Sequence, residues 1–278
     1  MNLCSKKEIK KILKNHNLAP IHKLGQNFLI NERALTLLLN SADLKKEDTI
    51  LEIGPGLGVL TKELAKKAKK VIAVEKDRRL IPVLKDILSS FKNIELINKD
   101  IRDIEIKENN YKIVSNLPFY ITGVITKDFL EIENKPKLIS VIMQKEMIER
   151  ICADPPNMSL PALSVQFYAT PQKIEYFSKN YFYPPPKVDA GIVKIIPKDL
   201  KVEYGSFVDS KEFQNKFFEI ARAGFRHKRK KLVNNLSSEL DFKKEEIKTI
   251  FSKINLQNKQ RAETLKIEDW IRLTKNLK

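Results

Sequence analysis

The sequence predicts an α/β fold: a doubly wound, mainly parallel sheet with an antiparallel pair at one edge, then a small all-helical domain. Three observations carry this. Short β-branched runs alternate with longer helical patterns between residues 49 and 144. Three of the eight glycines fall within five residues at the end of the first run. From about residue 207, strand signals stop and helical patterns take over. With 278 residues, 42% hydrophobic and 31% charged, the chain can bury a sizeable core.

The first element is a basic amphipathic leader helix. Ser5 followed by Glu8 reads as a capping box, and Ile9, Ile12 and Leu13 recur at helical spacing. Its five lysines between Ser5 and Lys14 suit nucleic-acid contact and a solvated face equally well. The sheet runs follow: TILEI (49–53), VIAVE (71–75), IELINKD (94–100), KIVSN (112–116) and LISVIM (138–143). Helical stretches such as Val59–Ala68 fill the gaps, which makes these strands parallel. LSVQFYA (163–169) and AGIVKII (190–196) have no comparable helix between them and read as the antiparallel edge pair. The predicted domains are residues 1–200, led by the basic helix, and residues 206–278, helical.

The net charge is +17, from 52 basic and 35 acidic side chains. Such a balance favours a polyanion partner. Residues 206–278 carry 18 basic and 10 acidic groups, a net +8, so positive charge is densest there. RAGFRHKRKK (222–231) holds six Lys or Arg in ten residues, close enough to repel one another without an anion. Cys4 and Cys152 are too few for a disulfide scaffold, and His16, His22 and His227 share no metal-ligand spacing with them. No metal, a reducing cytoplasmic setting and no membrane span are expected. Nothing signals an oligomer, so a monomer is expected.

The glycines lie in Leu51-Glu52-Ile53-Gly54-Pro55-Gly56-Leu57-Gly58, between a strand and a helix. Glycines there allow a tight turn and close approach of a ligand to the backbone. Glu75 ends the next strand, where a carboxylate can accept from both ribose hydroxyls. The spacing is G-x-G-x-G and lacks a P-loop lysine, so phosphate gripping is not the purpose. An adenosine without phosphates fits, with S-adenosylmethionine the obvious one. Asp100 ends the third run. Alone it reads as a helix N-cap; beside the glycine loop and Glu75, an adenine acceptor is favoured.

The fourth run leads into Asn116-Leu117-Pro118-Phe119-Tyr120. An adenine amine is a poor nucleophile because its lone pair is delocalised into the ring. Acceptors for both N–H protons, the Asn116 side-chain oxygen and a backbone carbonyl at Leu117 or Pro118, draw the nitrogen toward tetrahedral geometry. Pro118 fixes the turn and Phe119 can stack on the base. The alternative is a strand-end turn with a buried Phe.

These motifs, in this order, resemble the ribosomal RNA adenine N6,N6-dimethyltransferases, and within them the small-subunit branch. The resemblance spans about residues 21–275. It rests on Leu24-Gly25-Gln26-Asn27-Phe28-Leu29, the glycine loop, Val74-Glu75-Lys76-Asp77, Asp100 and Asn116–Tyr120. Further along it includes Phe182-Tyr183-Pro184-Pro185-Pro186-Lys187-Val188-Asp189, Arg229–Leu232 and Arg261–Leu265. It implies a Rossmann-like methyltransferase sheet, S-adenosylmethionine as donor, and dimethylation of two adjacent adenosines in a hairpin loop near the 3′ end of 16S rRNA in the immature small ribosomal subunit. The implied cofactor residues are Gln26, Asn27, Leu29, Glu52, Gly54, Gly56, Glu75, Lys76, Asp100, Ile101 and Asn116. Asn116, Leu117, Pro118 and Phe119 are the implied catalytic residues. Phe119, Tyr120 and Phe182 would meet the flipped base, and Arg222, Arg226, Arg229, Lys230 and Lys231 the RNA. Asp189-Ala190-Gly191 replaces the family's more usual Asp-Ser. Rival readings are the large-subunit, macrolide-resistance branch, a non-catalytic assembly or transcription factor on the same fold, and a DNA adenine methyltransferase.

Overall fold

A computed structural model describes residues 3–118 and 129–277. It divides into two compact units, residues 1–148 with 171–197, and residues 149–170 with 198–278.

In the first unit, helix α1 (Lys6–Asn15) precedes a short strand, β1 (Phe28–Leu29), and helix α2 (Glu32–Ser41). Ile9, Ile12 and Leu13 are buried in the core as their spacing requires. The capping box does not form: Ser5 occupies the N-cap position, but its side chain makes no capping hydrogen bond. The sheet then builds through β2 (Thr49–Ile53), α3 (Val59–Lys67), β3 (Lys70–Val74), α4 (Ile81–Ile87), β4 (Ile94–Ile97), β5 (Tyr111–Asn116) and β6 (Leu138–Gln144). Parallel pairing joins β4 to β3, β3 to β2, β2 to β5 and β5 to β6. The strand interiors are buried on both faces, as a sheet covered on both sides demands.

After α5 (Lys145–Ile151) the sequence reading fails locally. Residues 163–168 are not strand but part of helix α6 (Leu160–Tyr168). Ser159 caps it by accepting from the Ala162 N–H, and Pro161 sits in its first turn. The strand is β7 (Ala169–Phe177), followed by β8 (Phe182–Tyr183) and β9 (Ala190–Pro197). The sheet order is β4-β3-β2-β5-β6-β9-β7, with β9 antiparallel to β6, while β1 and β8 pair antiparallel on their own. Gly191 in β9 admits no side chain. A Cβ there would lie 2.6 Å from the Glu175 carbonyl oxygen and from the Tyr176 ring.

The second unit contains α7 (Leu200–Tyr204), α8 (Lys211–Gly224), α9 (Leu232–Glu239), α10 (Lys244–Lys253) and α11 (Ile267–Asn276). It also takes residues 149–170, which the sequence reading places in the first domain. Packing explains the transfer. Phe167 of α6 stacks against Phe217 of α8 with centroids 4.3 Å apart, and the Tyr168 hydroxyl meets Gln214 at 3.2 Å.

At the amino end of β5, Lys112 is almost fully buried. Its ammonium meets Asp48 at 2.8 Å and donates to the Ala42 and Asp43 carbonyls. This pair ties the β5 edge to the loops around α2. Among the described residues no helix is long and apolar enough to cross a membrane, and no cluster of His, Cys, Asp and Glu is arranged to hold a metal. Removing one partner of a buried ion pair strands the other, so Asp48→Ala should cost about 3 kcal/mol of stability. Urea denaturation with an unchanged m-value checks this, and a loss below roughly 1 kcal/mol would mean the pair is solvated.

Candidate functional site

The strand order reverses between β2 and β5, and ligands of open α/β sheets bind at such switch points, beyond the carboxyl ends of the strands. A concave cavity, partly open to solvent, lies there. All eleven residues proposed from the sequence to hold the cofactor line it, as does Pro118.

The glycine loop leaves β2 in a left-handed turn, with Gly54 at φ +71° and its N–H bonded to the Val74 carbonyl at 2.9 Å. A Cβ on Gly54 would sit 3.2 Å from the Pro118 ring, so the loop after β2 and the turn after β5 approach as closely as glycine allows. A Cβ on Gly56 would sit 3.2 Å from the Phe28 ring, which forms the opposite wall.

Three carboxylates face this space and each is held differently. Glu52 is 1% exposed, and its Oε2 is buried without a hydrogen bond. Burial pushes its carboxyl up to about 8, and nearby Glu75 pushes in the same direction. The Thr61 hydroxyl counters this in part, although its oxygen, also buried, closes no hydrogen bond. Glu75 accepts from the Gly56 N–H at 3.1 Å on Oε2 and from the Asp77 N–H at 2.8 Å on Oε1. Burial raises its pKa, and these backbone donors oppose the rise. One bond per oxygen leaves acceptor capacity on both.

Asp100 is engaged more fully. Arg102 donates to Oδ1 from its backbone at 3.1 Å and from Nε at 3.0 Å, and to Oδ2 from its second guanidinium nitrogen at 2.6 Å. Lys76 adds an ion pair to Oδ2 at 2.8 Å. The Arg102 guanidinium, followed by Lys76, holds this carboxyl well below the usual range. The N-cap reading is therefore realised: Asp100 caps the turn Ile101–Asp103 while also lining the cavity.

Asn116 ends β5 and donates through Nδ2 to the Asn27 carbonyl at 3.0 Å. Only the NH₂ end can donate to a carbonyl, so the amide oxygen is turned the other way. The Gln26 side chain is a brace. Its oxygen accepts from the Ile21 N–H at 2.7 Å, and its nitrogen donates to Asp77 at 2.7 Å, tying the segment before β1 to the end of β3.

Phe182 lies apart from the cavity lining. It is 2% exposed, belongs to the hydrophobic core and does not line the cavity. Alternation along β8 turns the neighbouring Tyr183 the other way, where it is half-buried. Phe119 and Tyr120 lie outside the described residues. Arg222, Arg226, Arg229, Lys230 and Lys231 are exposed on the second unit. Helix α8 stops at Gly224, where a Cβ would lie 2.5 Å from Trp270. The cations after it sit on the loop to α9, anchored by Asn235, whose Nδ2 donates to the Gly224 and His227 carbonyls. Sequence reasoning missed Phe28 and Lys99 as lining residues. Phe28 stands inside a motif quoted above, but only the fold reveals that it faces Gly56.

Comparison with known proteins agrees with this geometry. The family model for Ribosomal RNA adenine dimethylase matches residues 9–278. A Ribosomal RNA small subunit methyltransferase A of Dehalococcoides mccartyi is 40% identical over 269 residues, covering 95% of this chain and 90% of that protein. The protein of that name from Clostridioides difficile is 37% identical, covering 96% and 94%. A dimethyladenosine transferase from Plasmodium falciparum superposes with a TM-score of 0.75 at 25% identity over 88% of this chain and 95% of that one. The 23S rRNA methyltransferase ErmE shares the fold, with a TM-score of 0.73 at 23% identity over 90% and 99%. By the match along nearly its whole length, the chain belongs to the ribosomal RNA adenine dimethylase family.

Proposed function

We propose that the chain uses S-adenosylmethionine to dimethylate the N6 amines of two adjacent adenosines in a hairpin loop near the 3′ end of 16S rRNA, within the immature small subunit. The observation that carries this reading is the meeting of Gly54 and the Asn116–Pro118 turn at one cavity that three carboxylates face. The small-subunit relatives at 37–42% identity favour this substrate over large-subunit RNA.

The residues fit the cofactor. The buried, unbonded Glu52 Oε2 suits a positively charged ligand, and Glu75 has acceptor capacity for two ribose hydroxyls. An adenine amine reaching Asp100 must share or displace a contact from Lys76 or Arg102. Lys76 is the more mobile choice, being a flexible point charge where Arg102 is a rigid fork. The cofactor supplies a methyl group on a cationic sulfur. The chain aligns the target amine with it, and that alignment supplies most of the rate. The Asn116 oxygen accepts one amine proton and a carbonyl of the Leu117-Pro118 turn the other. As the nitrogen–carbon bond forms, the amine proton becomes acidic and leaves to water, so no tuned base is required. The helical unit holds RNA through Arg222, Arg226, Arg229, Lys230 and Lys231, and the enzyme works as a cytoplasmic monomer.

The test is methyl transfer from labelled donor to immature small subunits and, separately, to large subunits, with the modified nucleotides mapped. Label on two adjacent adenosines near the small-subunit RNA 3′ end is expected; label confined to large-subunit RNA would overturn the reading. Asn116→Ala should lower turnover by roughly a hundredfold or more, the scale of losing one aligned polar contact to a reacting group, and far more than it weakens cofactor binding. Wild-type turnover in that variant would remove Asn116 from the mechanism.

Glu52 generates a pH prediction. With its carboxyl near 8 it holds a proton at neutral pH in the ligand-free protein, and a neighbouring cation favours the ionised form. Affinity for the cationic donor should therefore tighten as pH rises from about 6 to about 9, with proton release. Affinity for the demethylated product, whose sulfur is neutral, should change less. Calorimetric titration of both ligands checks this. Equal slopes, or an unchanged donor slope in Glu52→Gln, would show that Glu52 does not sense the sulfur.

A further inference from the structure

We propose that Lys6 and Lys10, held over the ring of Tyr183, form a phosphate-binding subsite for the RNA strand flanking the target adenosine. This rests on the RNA reading above and adds a contact site on the first unit, separate from the basic loop of the second.

Helix α1 carries five lysines and one acidic residue, Glu8, in ten positions. All five lysines are exposed, and none makes an ion pair among the described residues. Some lysines elsewhere in the first unit are paired, Lys66 with Glu63 and Lys70 with both Glu95 and Glu108, so what sets Lys6 and Lys10 apart is their convergence. Lys6 and Lys10 lie one turn apart, so their charges repel along the helix. Their ammonium groups nevertheless converge on one ring, 5.6 Å and 5.5 Å from the Tyr183 centroid, within the reach of a cation–π contact. Two like charges gathered on one ring with no carboxylate between them are relieved by an anion that bridges both.

The place of this pair identifies the anion. Tyr183 is the register partner of Phe28 in the β1–β8 ladder, which the Ile30 N–H to Tyr181 carbonyl bond extends. Phe28 is the cavity wall against Gly56. The ammonium pair thus stands one strand pairing away from the cavity, on the same rigid unit. A strand that delivers a base to the cavity runs its phosphates past this ring. A lipid surface fits less well, because Ile9, Ile12 and Leu13, the apolar residues of α1, are buried in the core.

The experiment compares the full chain with Lys6→Gln/Lys10→Gln, Tyr183→Phe and Tyr183→Leu. It measures binding of a hairpin RNA from the small-subunit 3′ end across a salt series, cofactor affinity and thermal unfolding. The double lysine variant should bind RNA about tenfold more weakly near physiological salt, with a log–log salt slope smaller by about one to two. Its cofactor affinity and melting temperature should be unchanged. Tyr183→Phe keeps the ring and should bind like the wild type; Tyr183→Leu should lose part of the affinity with both lysines present. Unchanged RNA affinity and slope in the double variant would overturn the subsite. So would a dependence on Lys6 and Lys10 seen only with phosphatidylserine vesicles. A wild-type chain that binds RNA through these lysines yet transfers no methyl would instead sink the functional reading and leave the subsite standing.

Discussion

The site depends on one steric constraint: two loops leaving adjacent parallel strands must meet at the same edge of the sheet. Parallel pairing of β2 and β5 puts both carboxyl ends on that edge. The absence of a side chain at Gly54 lets the Pro118 ring come within 3.2 Å of where a Cβ would be. Ser115 fastens the junction by donating to the Ile53 carbonyl at 2.5 Å. A side chain at position 54 would meet that ring and would also be forced into a left-handed conformation. The loop after β2 and the turn after β5 would then separate, and the cavity they share would change shape.

Much of this was legible in the sequence because it depends on local chemistry. The five parallel strands fall within one to three residues of the β-branched runs, and the glycine loop, Glu75 and Asn116 arrive together because strand ends in such a sheet share an edge. The misreading at 163–168 has a physical source. Leu-Ser-Val-Gln-Phe-Tyr is a short apolar run whose periodicity does not separate strand from buried helix. The deciding signal lay outside it, in the Ser159 cap and Pro161. That helix buries its aromatic residues against α8, which is why the second unit reaches back to residue 149. The burial of Phe182 was not legible because a two-residue strand gives no alternation from which to choose its inward face. The unbonded Glu52 oxygen and the engagement of Asp100 by Lys76 were invisible for another reason: both arise between residues brought together only by the fold.

A chain with a net charge of +17 nevertheless sets three carboxylates around this cavity. Local arrangement achieves this. Glu52 is buried, which pushes its carboxyl up, and Glu75 is steadied by backbone N–H groups and needs no lysine. The cations that do line the cavity, Lys76 and Lys99, stand near Asp100, and Lys76 is occupied by it. The unpaired lysines of α1 and the basic loop before α9 lie on outer surfaces, where screening is strong and a polyanion can displace counterions. One charge surplus therefore serves two opposite demands. Exposed cations act on a phosphate backbone at long range, while in the cavity, where the dielectric is lower, carboxylates stand close enough to a ligand to outweigh distant lysines.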